Sequence, residues 1–312
     1  MDVKRKIAFF VPDKVHVLDL CGPVQVFYEA NCYGAQYELV YFSLGRNTIG
    51  AAGLPFPALQ PFHKTILRED DIIFIPGADM SYLRSKTLKG EQRFFNWLAK
   101  NYQAGVNICT VCTGAFILAA TGLLDGKQCT THWKRIAELK NSYPGLRIVD
   151  NILFTRENRL YTSAGVTAGV DLALSIVEEH YGPLFTNKVC RELLVYHRRN
   201  GGQTQQNVYL DHRNHLHASI HAVQDWLIEN LDKKRTIAEL ASLANMSARN
   251  LARVFKKVTG LTINQYTRAL RLEKLRTIKP GAHLKKDALA GQIGYKSARQ
   301  LRRIQNEKPA KG

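Results

Sequence analysis

The sequence predicts an α/β domain, a parallel sheet with helices on both faces, followed by an all-α domain with two helix-turn-helix units. Three observations carry this. Short apolar runs alternate with helical patterns over roughly the first 198 residues. Charge is concentrated behind them: residues 213–312 hold 21 Lys+Arg against 7 Asp+Glu, whereas residues 1–212 hold 23 against 19, so +14 of the chain's +18 lies in the last third. Finally, one phrase occurs twice, Ser247-Ala-Arg-Asn-Leu-Ala-Arg253 and Ser297-Ala-Arg-Gln-Leu-Arg-Arg303, 50 residues apart and identical at five of seven positions. Each copy supplies a capping serine, one core leucine and two arginines a helical turn apart.

The strands are read at Lys6 to Val11, Tyr37 to Leu44, Asp71 to Pro76 and Val106 to Val111, with helices at Leu20 to Asn31 and Leu88 to Tyr102 between them. Such alternation implies a parallel sheet whose ligands sit at the carboxyl ends of the strands. A further helix, Thr167 to His180, carries Val170, Ala173, Leu174 and Val177 on one stripe and is expected to close at Gly182-Pro183. The chain has neither a signal peptide's apolar run nor an 18-residue apolar span, so it is expected to be soluble and cytoplasmic, without a membrane partner. Its six cysteines are then expected to be reduced thiols.

The segment Val106-Asn-Ile-Cys-Thr-Val-Cys112-Thr-Gly predicts a buried strand turning abruptly into a helix, with Cys112 at the corner. That is the geometry of a nucleophile elbow, and N–H groups at the helix start lead us to expect an unusually acidic thiol. The competing reading is a small residue filling a tight junction. Cys109-x2-Cys112 and Cys129-x2-His132 have zinc-like spacing, but Cys109 lies in an apolar strand and Cys112 heads an apolar helix, so no metal and no cofactor is expected. A Cys109–Cys112 dithiol sensor is opposed by the strand pleat, which turns Cys109 away from the corner.

Polar, glycine-bearing residues 199–216 are read as a linker between a first domain, residues 1–198, and a second, residues 217–312. Histidines 212, 215, 217 and 221 fit no clean ligand set and are taken as solvent-facing or interfacial. In the second domain Thr236-Ile-Ala-Glu239 predicts a capping box, Ala244-Asn-Met246 the turn and Ser247 the cap of the reading helix. Leu251, Val254, Phe255 and Val258 face the core, leaving Arg249, Asn250, Arg253, Lys256 and Lys257 outward. Arginine pairs with guanine, asparagine with adenine and lysine with phosphate, the mixture a major-groove helix needs. The second unit runs from Asp287 through the turn at Gly294-Tyr-Lys296 to a helix exposing Arg299, Gln300, Arg302 and Arg303. A helix over Thr262–Ile278, about 26 Å long, spaces the two units for successive major grooves about 34 Å apart.

The runs Cys112-Thr-Gly-Ala-Phe116, Ala119 to Gly126 and Thr130-Thr-His-Trp133 resemble the ThiJ/PfpI, class I glutamine amidotransferase-like domain at the front of GlxA-type AraC-family regulators. Leu18-Asp-Leu-Cys-Gly-Pro23, Ile75-Pro-Gly-Ala78, Thr162-Ser-Ala-Gly165 and Ala168-Gly-Val-Asp171 match in order. Leu240-Ala241, Ser247, Leu251, Arg253, Phe255, Gly260 and Tyr266 resemble the AraC/XylS DNA-binding domain, with departures at Ile263, Leu301 and Gln305. The resemblance implies a flavodoxin-like first domain and a transcription regulator that binds double-stranded DNA as a homodimer formed through that domain. A small effector would be bound, not turned over, by Asp19, Gly77, Cys112, Thr113 and His132. DNA would be contacted by Ser247, Arg249, Asn250, Arg253, Lys257, Arg299, Gln300, Arg302 and Arg303. The alternatives are a cysteine-dependent hydratase or amidase using Cys112, Asp19 and His132, and a regulator that senses oxidants through a thiol.

Overall fold

A computed structural model describes residues 4–195, 215–233 and 236–277, together with positions 199, 201–202, 205, 212–213, 290–291, 294–295, 297 and 299–300. The chain divides into two compact units, residues 1–205 and 206–312.

In the first unit β1 (Arg5–Phe10) leads to α1 (Val17–Cys32) and β2 (Tyr37–Ser43). A small hairpin, β3 (Thr48–Ile49) with β4 (Pro55–Phe56), precedes β5 (Gln60–Pro61) and β6 (Ile72–Ile75). Helices α2 (Met80–Leu83), α3 (Lys86–Lys89) and α4 (Gln92–Gln103) then lead to β7 (Asn107–Val111) and α5 (Gly114–Ala119). Next come β8 (Gln128–Cys129), α6 (Ile136–Ser142), β9 (Arg147–Ile148), the hairpin β10 (Phe154–Glu157) with β11 (Leu160–Ser163), and α7 (Thr167–Glu192). The main sheet has the order β10-β11-β7-β6-β1-β2-β5. All its neighbours are parallel except β10 with β11.

Strand alternation sorts the core into two layers. Ile7, Phe9, Ile72, Phe74, Cys109 and Val111 pack on one face with α1 and α7. Ala8, Phe10, Ile73, Ile75 and Ile108 pack on the other with α4, α5 and α6. Both faces are therefore covered, as the apolar runs predict.

Three details extend the sequence reading. The antiparallel β10–β11 hairpin joins the sheet edge with Asn158 left-handed at its turn (φ 57). The first helical segment of α7 closes at Gly182 as expected (φ 80, ψ 170), and a second segment follows it to Glu192. The expected linker is divided between the units: Arg199 Nε donates to the buried Asp171 (2.9 Å), Gly201 O accepts from Leu153 N–H (3.0 Å) and Gln205 Nε2 donates to Thr131 O (3.0 Å) in the first, whereas His212 O accepts from Gln224 Nε2 (3.0 Å) in the second.

The second unit contains α8 (Ala218–Glu229), α9 (Ile237–Leu243), α10 (Ala248–Thr259) and α11 (Ile263–Thr277) around Ile220, Val223, Leu227, Leu240, Leu251, Phe255, Tyr266 and Leu270. The capping box forms in full: Glu239 N–H donates to Thr236 Oγ1 (3.2 Å) and Thr236 N–H to Glu239 Oε2 (2.7 Å). Asn245 takes the left-handed conformation (φ 53) that lets the chain turn between α9 and α10. Of the second helix-turn-helix, Gly294 is left-handed (φ 78) and Tyr295 lies against the Arg271 guanidinium (5.0 Å); residues 278–289 and 301–312, which include Arg302 and Arg303, are outside the described residues.

Phe255 is wholly buried and meets Tyr266 edge-on. Phe255→Ala should cost about 3–5 kcal/mol, measured as faster hydrogen exchange across α9–α11; a loss below about 1 kcal/mol would mean that this core is not the one described.

Candidate ligand site and nucleic-acid interface

Four chain segments converge on Cys112. The residue is buried with a left-handed backbone (φ 56), a conformation that costs an L-residue on the order of 1–2 kcal/mol and persists only when its surroundings impose it. They do so here: Cys112 N–H donates to Ser163 O (2.9 Å) and Thr131 Oγ1 donates to Cys112 O (2.8 Å). There is no room for relaxation either. A Cβ on Gly77 would lie 2.9 Å from Cys112 Cβ and 2.5 Å from Asp19 Oδ2, and one on Gly165 would lie 2.9 Å from Cys112 Sγ. At Gly114 a Cβ would run into Ile75 O and sit 2.9 Å from Pro76 O, so glycine is what lets α5 start directly after the corner.

Asp19 is buried beside the thiol. Its Oδ1 accepts from Val166 N–H (2.6 Å) and its Oδ2 lies 3.3 Å from His16 Nδ1. His16 Nε2 reaches Asp79 Oδ1 (3.4 Å). Donor atoms of His16, Asp19 and Cys112 all lie within 4.8 Å of one another, the described cluster closest to a metal's ligand set, although these groups already engage one another. Hydrogen bonding to Asp19 raises the His16 pKa above its ordinary value against the opposing effect of burial.

The thiol is not acidic. Burial pushes it far up and the Asp19 charge pushes it further, outweighing the hydrogen bonds from Thr113 that favour a thiolate. The expectation of an acidic elbow cysteine is therefore corrected: the donors at the helix start do favour the thiolate, but burial and the neighbouring carboxylate outweigh them. Cys109 is buried in the α1/α7 layer and Cys129 in the opposite layer, so among the described residues the zinc-like spacing does not gather four ligands.

Asp19, Gly77, Cys112 and Thr113 come together. Thr113 Oγ1 accepts from Ala78 N–H (3.0 Å) and donates to Ala78 O (2.8 Å), so its hydroxyl fastens α5 to the loop after β6. Among the described residues His132 makes no hydrogen bond to this group: its Nδ1 accepts from Lys134 N–H (3.3 Å), its ring stacks on Trp133, and burial followed by Lys134 lowers its pKa against the Asp19 charge, which raises it. The imidazole brought to the thiol is His16, which sequence reasoning missed. Its signal was its place one turn before Asp19, at the N-cap of α1.

In the second unit, Ser247 Oγ accepts from Asn250 N–H (3.2 Å), so its hydroxyl is spent on the cap. Arg249, Arg253, Lys256 and Lys257 are exposed, while the half-buried Asn250 accepts from Arg253 Nη2 (2.9 Å). Arg299 and Gln300 are exposed in the short helical stretch after Ser297, where Gln300 N–H donates to Ser297 O (3.1 Å).

A doubly covered parallel sheet with a cysteine elbow at its carboxyl edge, joined in sequence to a helix-turn-helix, defines a two-part protein in which a ligand-site fold accompanies a nucleic-acid-binding motif. The DJ-1/PfpI family matches residues 5–179, more than half the chain, and the chain belongs to that family. Residues 227–268 match the bacterial regulatory helix-turn-helix proteins of the AraC family. The chain is 28% identical over 202 residues to the HTH-type transcriptional regulator GbdR of Pseudomonas aeruginosa, covering 64% of this chain and 54% of GbdR. The chain thus spans about half the length of that regulator. It is 29% identical over 177 residues to an isonitrile hydratase of Pseudomonas putida, covering 57% of this chain and 72% of the hydratase. The fold is that of an AraC-family transcriptional regulator crystal structure from Pseudomonas putida (TM-score 0.52, 22% identity), covering 61% of this chain and 99% of that one. Among the described residues no helix is long and apolar enough to cross a membrane.

Two measurements test the electrostatics. Iodoacetamide labelling of Cys112, followed by peptide mass mapping, should be slow at pH 7 and accelerate only well above pH 9; Asp19→Asn should move that profile to lower pH without restoring an ordinary thiol, since burial is the larger cause. For His16 the folded pKa is raised, so its stabilisation is complete below the unfolded value of about 6.5 and is lost as pH rises through the folded value. Urea unfolding of His16→Gln should therefore lose stability relative to wild type at pH 5.5 and much less at pH 8.5; equal losses at both pH values would refute the His16–Asp19 pairing.

Proposed function

We propose that the chain is a transcription regulator that binds double-stranded DNA through α10 and is controlled by a small molecule held at the Cys112 elbow. The observation that carries the reading is the two-sided character of α10. Leu251 and Phe255 are buried, while Arg249, Arg253, Lys256 and Lys257 stand exposed beyond the Asn245 turn. A cationic face with adjacent Arg and Asn side chains can read base edges and hold phosphates at once. The second phrase, with Arg299, Gln300, Arg302 and Arg303, would enter the next major groove.

At the elbow, a thiol held protonated against a buried carboxylate suits recognition better than attack, so ligand binding without turnover is the function proposed for Asp19, Gly77, Cys112, Thr113 and His132. Control follows if the ligand changes how two first domains pair, and with that the spacing of their DNA-binding units; the change must come from unequal affinity for the two arrangements. A cytoplasmic homodimer is the form that this mechanism requires.

A second reading is favoured by one observation, the strained backbone at Cys112 together with similarity to an isonitrile hydratase. In that reading the ligand would be hydrated or hydrolysed through the thiol. Cys112→Ala separates the two: a regulator keeps DNA binding and loses or alters its ligand response, whereas an enzyme loses turnover. A thiol switch would instead show DNA affinity changing with oxidation of Cys112.

The DNA assignment is tested by fluorescence anisotropy on operator fragments selected from random DNA. Arg253→Ala should weaken selected sites by about 1–3 kcal/mol and relax their sequence preference. Lys257→Ala should weaken all sequences alike and reduce the slope of log affinity against log salt by about one. Wild-type affinity and salt slope in both variants would remove α10 from the interface.

A further inference from the structure

At the opposite end of β7 from Cys112, about 16 Å away along a five-residue strand, lies a cavity of about 510 Å³. It opens where β1, β6 and β7 begin, beside the β10–β11 turn and beneath the His180 end of the first segment of α7. Its volume falls in the range of small-ligand pockets.

The charge on its walls is only partly balanced. Arg156 is neutralised by a two-pronged pair with Glu179 (2.6 and 2.7 Å). Arg159 rests on the Tyr102 ring (5.2 Å) and gives one N–H to Tyr102 O (3.2 Å), which fixes its plane and leaves its remaining donors uncommitted. Arg5 lines the cavity, and among the described residues no carboxylate lies within ion-pair distance of Arg5 or Arg159. Arg5 and Arg159 thus line the cavity beside Asp70, the lining carboxylate that is not taken up by Arg156.

His180 adds a donor, not a charge. Burial and then Arg5 hold its pKa down at about 4, and its Nδ1 lies 2.7 Å from Tyr37 Oη. Burial keeps the Tyr37 phenol protonated, and when that phenol donates to Nδ1 the imidazole proton sits on Nε2, free for a ligand. Planar guanidinium forks beside a neutral imidazole donor match the oxygens of a phosphate or carboxylate. Asp70 has no such use for an oxyanion and suits a hydroxyl or amino group on the same molecule.

We propose that this cavity is a second ligand site, separate from the Cys112 elbow, that binds a small phosphorylated or carboxylated metabolite bearing a hydroxyl or amine. Arg5 and Arg159 hold the anionic group, His180 supplies a neutral hydrogen bond and Asp70 takes the donor.

The test is a titration of the full-length chain with inorganic phosphate and, separately, with succinate, at fixed ionic strength, followed by thermal shift. Either anion should raise Tm saturably, and the stronger of the two identifies the anionic group. Arg5→Gln and Arg159→Gln should each weaken the response at least tenfold. Cys112→Ala and Arg253→Ala should leave it unchanged, which separates this site from the elbow and from the basic face of α10. Arg159 is exposed on a turn, so its replacement tests the site even where Arg5→Gln impairs folding. A response to neither anion, or an undiminished response in Arg159→Gln, overturns the proposal.

Discussion

The first unit depends on how closely backbone can approach one cysteine. The loop after β6, the β7–α5 corner and the segment between β11 and α7 all meet at Cys112, and glycines 77, 114 and 165 stand where a methyl group would collide. This crowding aligns the carboxyl ends of the central strands and fixes a backbone conformation that would otherwise relax. It also strips water from the thiol. The same packing that positions Cys112 thus keeps it protonated, and the buried Asp19 carboxylate reinforces the effect. Position and reactivity are set against each other at this corner.

What was legible in the sequence was local. The elbow, the Thr236–Glu239 capping box, the left-handed Asn245 and the Ser247 cap are each specified within about four residues, and each forms as the sequence implies. The misreadings arose where distant partners decide. His16 pairs with Asp19 one turn away but also reaches Asp79, 63 residues away, and the thiol's proton affinity comes from burial that no local pattern encodes. Gly182-Pro183 carries a true break signal, yet the chain resumes a helix because Thr186, Val189 and Cys190 find buried positions beyond it. Strands β10 and β11 escaped notice because four-residue strands flanked by Arg156, Glu157 and Arg159 lack a long apolar run.

Helix α10 is short, about 18 Å for its 12 residues, and could not persist alone in water. Four exposed cations along it repel one another, so its folding rests on the buried Leu251 and Phe255, the Ser247 cap and the left-handed Gly260 that ends it (φ 77). A polyanion laid along that face would convert the repulsion into attraction without further rearrangement. The Arg253–Asn250 hydrogen bond already holds one guanidinium in place, which lowers the entropy lost when it meets a partner.

Helix α7 gives the elbow mechanical reach. Val166, its N-cap, has a backbone geometry rare for a β-branched residue (φ 49, ψ −116), and its N–H is held by Asp19 Oδ1. A ligand that claimed that oxygen would release both the strain and the helix start. From there the first segment of α7 runs about 22 Å over 15 residues to the Gly182 break, carrying Glu179 and His180 at its far end, where they wall the cavity at the strands' amino ends. Close-packed interiors transmit strain. If α7 shifted as a body, a ligand displacing Val166 would be coupled to one beside His180, and linkage would make that coupling equal in both directions.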